Sequence, residues 1–164
     1  MSRIVTVGAA QTGPIQETDS RSEVVERLTN LLREGSQAGC DLVVFPELAL
    51  TTFFPRWYVD DKKEFDHYFE KEMPSPETKP LFDEAKRLGV GFHLGYAELT
   101  PKGEHFNTSV LVDKAGDIIA HYRKVHLPGH EEHEPWRAFQ HLERYYFDPG
   151  PGFEVHAAFG GIMG

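Results

Sequence analysis

The chain has 164 residues, of which 40% are hydrophobic and 12% aromatic, and it carries a formal net charge of -9 with a pI of about 5.4. This composition predicts one globular domain over residues 1–164, and the acidity argues against a nucleic-acid partner, which would need a basic face. No segment approaches the roughly 18 apolar residues of a membrane span. The first residues lead into a strand and not into a signal peptide, so we expect a cytoplasmic protein without a membrane partner.

The first half of the chain predicts a β-α-β unit. Residues 4–10 mix β-branched and small residues and predict a strand that ends at a Thr-Gly-Pro turn. From about Ser20, apolar residues recur at helical spacing, which predicts an amphipathic helix capped by Asp19 or Ser20 and ending near Gly35 or Gly39. The apolar run 42–45 then predicts a second, buried strand that pairs in parallel with the first.

Glu47 follows that buried strand directly after Pro46, which ends the strand pairing. In open α/β sheets, catalytic and ligand-binding groups gather beyond the carboxyl ends of strands. The next residues include Phe53, Phe54 and Trp57, so we expect Glu47 to stand against an apolar wall. Such a wall would raise the pKa of the carboxylate and suit it to act as a general base.

The middle of the chain adds further helices and strands. Residues 60–69 predict a short helix, and residues 78–88 a longer one that stops at Gly89. Residues 90–99 predict a strand, in which His93 is expected to be a hydrogen-bonded histidine of the core or sheet face. Segments 106–112 and 118–122, joined by a Lys-Ala-Gly-Asp turn, predict a hairpin. The alternation of strands and helices indicates an α/β layered fold.

Two more polar segments come late in the chain. Lys124 follows the last predicted strand of the hairpin, and it could lie beside Glu47 if the two strands neighbour each other. A buried carboxylate and lysine together provide proton transfer and oxyanion stabilisation. His141 and Glu143 come next, among several aromatic residues. This set of residues suggests acid-base chemistry without a metal ion.

Three motifs in a fixed order carry a family resemblance. They are F-P-E at 45–47, Y-R-K-V-H-L at 122–127, and Glu143 before the aromatic-P-G segment. With them the chain resembles the nitrilase superfamily of carbon-nitrogen hydrolases. Segments 47–57, 124–130 and 139–143 are most similar to N-carbamoyl-D-amino acid hydrolases, and the likeness runs through nearly the whole chain.

The resemblance implies a Glu-Lys-Cys mechanism without cofactor or metal, acting on a small N-carbamoyl amino acid. By position, Glu47 would take the proton of the cysteine thiol, and Lys124 would stabilise the tetrahedral oxyanion. Glu143 would orient Lys124 and the substrate nitrogen, while His126 and His141 would support the site. The products would be a D-amino acid, carbon dioxide and ammonia.

The chain departs from the family at the nucleophile. The family's cysteine lies on a strand after the aromatic-P-G segment, and here that segment leads to Gly164 without a cysteine. The resemblance therefore implies the N-terminal part of an α-β-β-α sandwich, incomplete at its C-terminus and forming homo-oligomers when completed. Cys40, the single cysteine, allows no internal disulfide and lies at the wrong end of its strand. We expect negligible activity and poor solubility from the chain alone.

Two alternatives stay open. A metal-dependent hydrolase is suggested by the nine histidines and by the run His130-Glu131-Glu132-His133-Glu134, which misses the H-E-x-x-H register by one residue. A solvated acidic loop is the simpler interpretation of that run. The second alternative is a catalytically inactive fragment that survives as an interaction module.

Overall fold

The computed structural model describes residues 4–164. Within them, seven strands and three helices follow one another, with short 3₁₀ turns at Phe54–Arg56 and Lys62–Tyr68. In chain order they are β1 (Val7–Ala9), α1 (Arg21–Gln37), β2 (Leu42–Val44), α2 (Lys79–Leu88), β3 (Gly91–Leu99), β4 (His105–Val112), β5 (Ile118–Arg123), α3 (Glu143–Tyr146), β6 (His156–Ala158) and β7 (Gly161–Met163).

Strands β1 to β5 form one sheet in sequence order. The first three strands are parallel, and β4 and β5 continue the sheet as antiparallel neighbours. The predicted β-α-β unit and the predicted hairpin are both confirmed. Because β5 is antiparallel to β4, and β4 to β3, the carboxyl ends of β2 and β5 lie at the same edge of the sheet.

The two long helices form a layer on one face of the sheet. Helix α1 begins with a capping box, in which the Ser20 side chain accepts from the Glu23 backbone and the Glu23 side chain accepts from Ser20. Helix α2 ends at Gly89, whose φ of 64° is the left-handed conformation that glycine adopts without strain. Between the helices and the sheet lies an apolar core that includes Leu28, Leu32, Phe45, Leu81, Phe92, Leu94 and Val110.

Two predicted elements differ from the structure. The strand predicted over residues 4–10 is limited to β1, because Asp41 binds the backbone of Thr6. The Asp41 side chain accepts from the N–H of Thr6, and the N–H of Asp41 donates to the carbonyl of Thr6. The short helix predicted over residues 60–69 is a 3₁₀ helix and is limited to Lys62–Tyr68. The aromatic side chains of Phe65 and Tyr68 pack against a separate cluster, and this packing accompanies the short i→i+3 hydrogen bonds of the segment.

The aromatic cluster lies beyond the sheet edge that carries Glu47. Its centre is Phe54, which has no exposed surface and stacks on Tyr68 with ring centroids 5.0 Å apart. Tyr146 and Phe147, at the end of α3, approach the same ring edge-on or tilted at 5.5 and 5.8 Å. The cluster therefore ties the loop after β2 to helix α3.

The second face of the sheet carries a small second sheet, the antiparallel hairpin of β6 and β7. Ala158, Phe159 and Met163 of this hairpin pack against Leu42 and Leu111. The mixed α/β class is confirmed, and residues 4–164 supply a helical layer, the main sheet and a minor second sheet. Among these residues, no helix combines the length and apolarity that a membrane crossing requires.

Helix α2 is joined to α1 by the carboxylate of Glu84, which accepts from Arg87 at 2.6 Å and from Arg33 at 2.5 Å. These hydrogen bonds lower the pKa of Glu84 from 4.5 to about 2. A carboxyl with a lowered pKa stabilises the fold above its unfolded pKa of about 4.5, and this stabilisation is lost as the pH falls towards 2.

We therefore expect Glu84→Gln to lower the free energy of unfolding by about 1–2 kcal/mol at pH 7, and to lose less stability than the unsubstituted chain on acidification. Urea unfolding at pH 7, 4 and 3 measures both effects. The control is Asp83→Asn, whose exposed carboxylate pairs with Lys79 and should contribute under about 0.5 kcal/mol. Equal acid dependence in the Glu84→Gln variant and the unsubstituted chain would contradict the assignment.

Candidate active site

Glu47 lies on a loop that leaves β2 and crosses over β3 at Gly95. A Cβ atom on Gly95 would lie 3.0 Å from the Cα of Glu47, so only glycine allows this crossing without a shift. The N–H of Ala49 donates to the carbonyl of Gly95 at 2.8 Å and fixes the loop there. Leu48 turns the chain with a φ of 48°, a strained value for a leucine, and its side chain is 3% exposed in the aromatic cluster.

Lys124 is fixed through its backbone just past the end of β5. Its N–H donates to the carbonyl of Asn107 on β4 at 2.8 Å, and its own carbonyl accepts from the N–H of Gly150 at 2.9 Å. A Cβ atom on Gly150 would collide with the carbonyl of Arg123. The glycine therefore lets the segment after α3 lie directly against the base of Lys124.

Glu143 is the first residue of α3 and is 1% exposed. The preceding Leu142 donates its N–H to the carbonyl of Pro55 at 2.8 Å. Segment 139–143 thus lies alongside the loop that follows Glu47. This contact brings the second glutamate to the same place as the first.

The three side chains meet at one point. The Lys124 ammonium lies 2.5 Å from Oε1 of Glu47 and 2.8 Å from Oε2 of Glu143. The expected proximity of Glu47 and Lys124 is confirmed. However, their strands β2 and β5 are not neighbours, as that expectation required, because β3 and β4 lie between them. The crossing loop is the reason for the proximity, since it carries Glu47 over β3 towards β4.

The site combines two carboxylates with one ammonium. Burial alone would lower the pKa of Lys124, but its hydrogen bonds to Glu143 and Glu47 outweigh burial, so its pKa lies above the ordinary value. Lys124 therefore stays protonated at neutral pH. An ammonium has three hydrogens, and two are used by the glutamates, which leaves the third available to stabilise an oxyanion.

This raised pKa has a consequence for stability at high pH. The stabilisation from the Lys124 ammonium is fully present below its unfolded pKa of about 10.4 and is lost as the pH rises through the higher folded pKa. We expect Lys124→Met to cost about 2–3 kcal/mol at pH 7, because it leaves Glu143 buried without its cation. In urea unfolding this difference should shrink above pH about 10.5. A difference that stays constant up to pH about 11.5 would contradict the ion pairs.

The two histidines occupy different positions. His141 reaches Oε1 of Glu143 through Nε2 at 2.9 Å, and its ring packs edge-on against Phe53. His126 lies 5.7 Å from the ring of Phe153 and lines the same cavity as Glu47. The structure therefore brings His141 into the cluster and leaves His126 at the cavity wall.

The apolar wall expected around Glu47 is not formed by the loop aromatics. Phe54 turns away into the aromatic cluster, and the Glu47 side chain is 47% exposed. His93 lies on the sheet face as expected, where it lines the cavity, but its buried Nδ1 has no hydrogen-bond partner among the described residues. Burial lowers the pKa of this imidazole.

Sequence reasoning missed Asn107. Its Nδ2 donates to Oε1 of Glu47 at 2.7 Å, and the residue is 5% exposed. The available signal was an asparagine on β4 next to Phe106, on the side-chain face that alternates with the core positions. Such a residue needs a partner when it is buried.

A cavity of about 1180 Å³ opens beside the glutamate-lysine cluster. One wall is the second face of the sheet, with Val44, His93 and Leu111, and the opposite wall is segment 151–164. Cys40 does not reach it. Cys40 precedes β2 whereas Glu47 follows β2, and the Cys40 sulfur lies beside Gly8 on β1, away from the end of β2 that leads to Glu47.

The histidines of the run 130–134 do not form a metal site. His133 stacks on Tyr58 at 3.9 Å, whereas His130 is directed towards Glu134, also 3.9 Å away. Across residues 4–164, no group of three or more histidine, cysteine, aspartate or glutamate side chains is arranged to bind a metal ion.

Comparison with known proteins gives a consistent result. A family model described as carbon-nitrogen hydrolase matches residues 6–164. The N-carbamoylputrescine amidase of Solanum tuberosum is 28% identical over 155 residues, covering 94% of this chain and 47% of the relative. The cyanide hydratase of Penicillium rubens is 30% identical over 137 residues, covering 79% and 34%.

Among solved structures, a carbon-nitrogen hydrolase from Helicobacter pylori G27 superposes with a TM-score of 0.72 at 26% identity, covering 96% of this chain and 49% of that one. The chain therefore spans between 34% and 49% of the length of these relatives.

Proposed function

Because the chain belongs to the carbon-nitrogen hydrolase family, we propose that it serves the hydrolysis of the carbamoyl C–N bond of N-carbamoyl-D-amino acids. The observation that carries the proposal is the ammonium of Lys124 held between the carboxylates of Glu47 and Glu143. This arrangement joins a base to an oxyanion stabiliser at the mouth of a cavity.

The proposed reaction proceeds in two halves. Glu47 accepts the proton of a cysteine thiol, and the thiolate attacks the ureido carbon while the third hydrogen of Lys124 stabilises the oxyanion. The C–N bond breaks, and ammonia leaves with the proton that Glu47 returns. Water, deprotonated by Glu47, then displaces the thiolate, which recovers its proton from Glu47. The resulting carbamate separates into a D-amino acid and carbon dioxide.

Glu143 and the histidines have supporting roles in this proposal. Glu143 orients Lys124 and the substrate nitrogen, and His141 fixes Glu143 through Oε1. His126 supports the substrate from the cavity wall. The choice of an N-carbamoyl-D-amino acid rests on the motifs that contain Glu47, Lys124 and Glu143.

The reaction requires a cysteine that these 164 residues do not contain in a suitable place. The single cysteine, Cys40, lies at the opposite end of β2 from Glu47. This observation favours a second candidate, in which the 164-residue chain by itself is a catalytically inactive member of the family.

The test is to read the gene beyond the codon for Gly164 and to express the entire open reading frame. We expect an in-frame cysteine soon after Gly164, and ammonia release that is faster from N-carbamoyl-D-alanine than from its L-isomer. Faster release from N-carbamoylputrescine or formamide would overturn the proposed substrate. A stop codon directly after Gly164 would favour the inactive candidate.

A further inference from the structure

Asn107 forms hydrogen bonds with both Glu47 and Lys124. Its carbonyl accepts the backbone N–H of Lys124 at 2.8 Å, and its side-chain Nδ2 donates to Oε1 of Glu47 at 2.7 Å. An ionised carboxylate can only accept hydrogen bonds, so the amide must present its nitrogen to Glu47. One buried residue therefore links the base to the chain segment that carries the lysine.

The two oxygens of the Glu47 carboxylate have different surroundings. Oε1 accepts both from Asn107 and from the Lys124 ammonium, which lies 2.5 Å away. Oε2 accepts from no side chain or backbone group of residues 4–164. The Glu47 side chain lines the cavity and is half-exposed, so Oε2 is the oxygen without a protein donor.

We propose that Asn107 is a positioning residue, which holds Glu47 by Oε1 against Lys124 and leaves Oε2 as the oxygen that receives the proton of the nucleophile. In that step the S–H bond breaks, an O–H bond forms at Oε2, and the electron pair stays on sulfur. The assignment of Oε2 rests on the proposed function, whereas the hold on Glu47 does not.

A neutral amide suits this role chemically. The Glu47 side chain is exposed to water on one side, so without a second anchor it has rotameric freedom to leave Lys124. A second cation would anchor it equally well, but would also make the carboxylate a weaker base. Asn107 supplies the hydrogen bond without adding charge, and its side chain does not change protonation state.

The test measures the hold on Glu47 in the product of the whole open reading frame, because the 164-residue chain alone is expected to be poorly soluble. Lysine labelled with ¹³C at Cε is titrated by NMR, and the Lys124 signal is assigned by its loss in Lys124→Met. The carboxylates of Glu47 and Glu143 are the charged groups in contact with this ammonium. In Asn107→Leu we expect Glu47 to swing into water, so the titration midpoint of Lys124 should fall as far as it does in Glu47→Gln.

The double variant Asn107→Leu with Glu47→Gln should show no further fall, because both changes remove the same interaction. An unchanged midpoint in Asn107→Leu, or a fall in the double variant equal to the sum of the two single falls, would overturn the proposal. Ser109→Ala is the matched control, since Ser109 lies two residues along β4 and lines the same cavity. Asn107→Ala replaces the leucine variant if that variant does not fold.

The assignment of Oε2 has its own readout in the product of the whole open reading frame. Asn107→Leu should lower kcat about 100-fold with little change in KM, as expected for a misplaced base. A normal kcat would overturn this part. If the unsubstituted protein has no hydrolase activity, the proposed function and the role of Oε2 fail together, whereas the NMR result decides separately on the hold on Glu47.

Discussion

The 164-residue chain, purified alone, is expected to release ammonia from N-carbamoyl-D-amino acids no faster than its own Glu47→Gln variant. The physical reason is the position of the single thiol. Cys40 precedes β2 and packs beside Gly8, while Glu47 and Lys124 lie beyond the carboxyl ends of β2 and β5. A base and an oxyanion stabiliser without a nucleophile cannot form the covalent intermediate.

An ammonia assay over hours, at a concentration at which both variants stay in solution, measures this result. Turnover that disappears in Glu47→Gln would contradict it, and its loss or persistence in Cys40→Ser would show whether Cys40 is the nucleophile. In the product of the whole open reading frame, Glu47→Gln and Lys124→Ala should each lower kcat/KM by about 1,000-fold. Near-normal rates in either variant would remove that residue from its proposed role.

Phe54→Ala is expected to cost about 3–5 kcal/mol of stability, the usual range for removing a fully buried phenylalanine. Phe54 has no exposed surface and is in contact with the rings of Tyr68, Phe69 and Tyr146. The cavity left behind would separate the Glu47 loop from α3. Loss of this packing should therefore also weaken the contact between Lys124 and the two glutamates.

Urea unfolding followed by tryptophan fluorescence measures this cost. The matched control is Phe139→Ala, which truncates a phenylalanine that is 70% exposed and should change stability by less than about 0.5 kcal/mol. If both variants unfold at the same urea concentration, the aromatic cluster does not hold the loop.

The two long helices and strands β2 to β5 could be predicted from local patterns, whereas α3, β6 and β7 were not predicted. The cap predicted at Asp19 or Ser20, the stop at Gly89 and the turn before Ile118 are short-range signals, and the structure places an element boundary at Ser20, at Gly89 and at Ile118. The true extent of β1 could not be predicted, because it depends on how Asp41 binds the backbone of Thr6 across the sheet.

The cluster of Glu47 and Lys124 was only partly accessible to sequence reasoning. Their position after strands that end at one edge was predictable, but the crossing of the loop over Gly95 was not, because a glycine inside a strand does not reveal what approaches it. The exposure of Glu47 and the contribution of Asn107 depend on the same three-dimensional crossing. These features follow from packing between distant segments and leave little trace in local composition.

The crossing at Gly95 also limits how this gene can change. Side chains alternate along a strand, so inserting or deleting one residue between Phe92 and Gly95 would turn a bulky neighbour towards the Glu47 loop. The loop between β4 and β5 lies at the opposite edge of the sheet, far from Lys124 and Glu47. A length change at that hairpin tip should therefore disturb Glu47 and Lys124 less than a length change within β3.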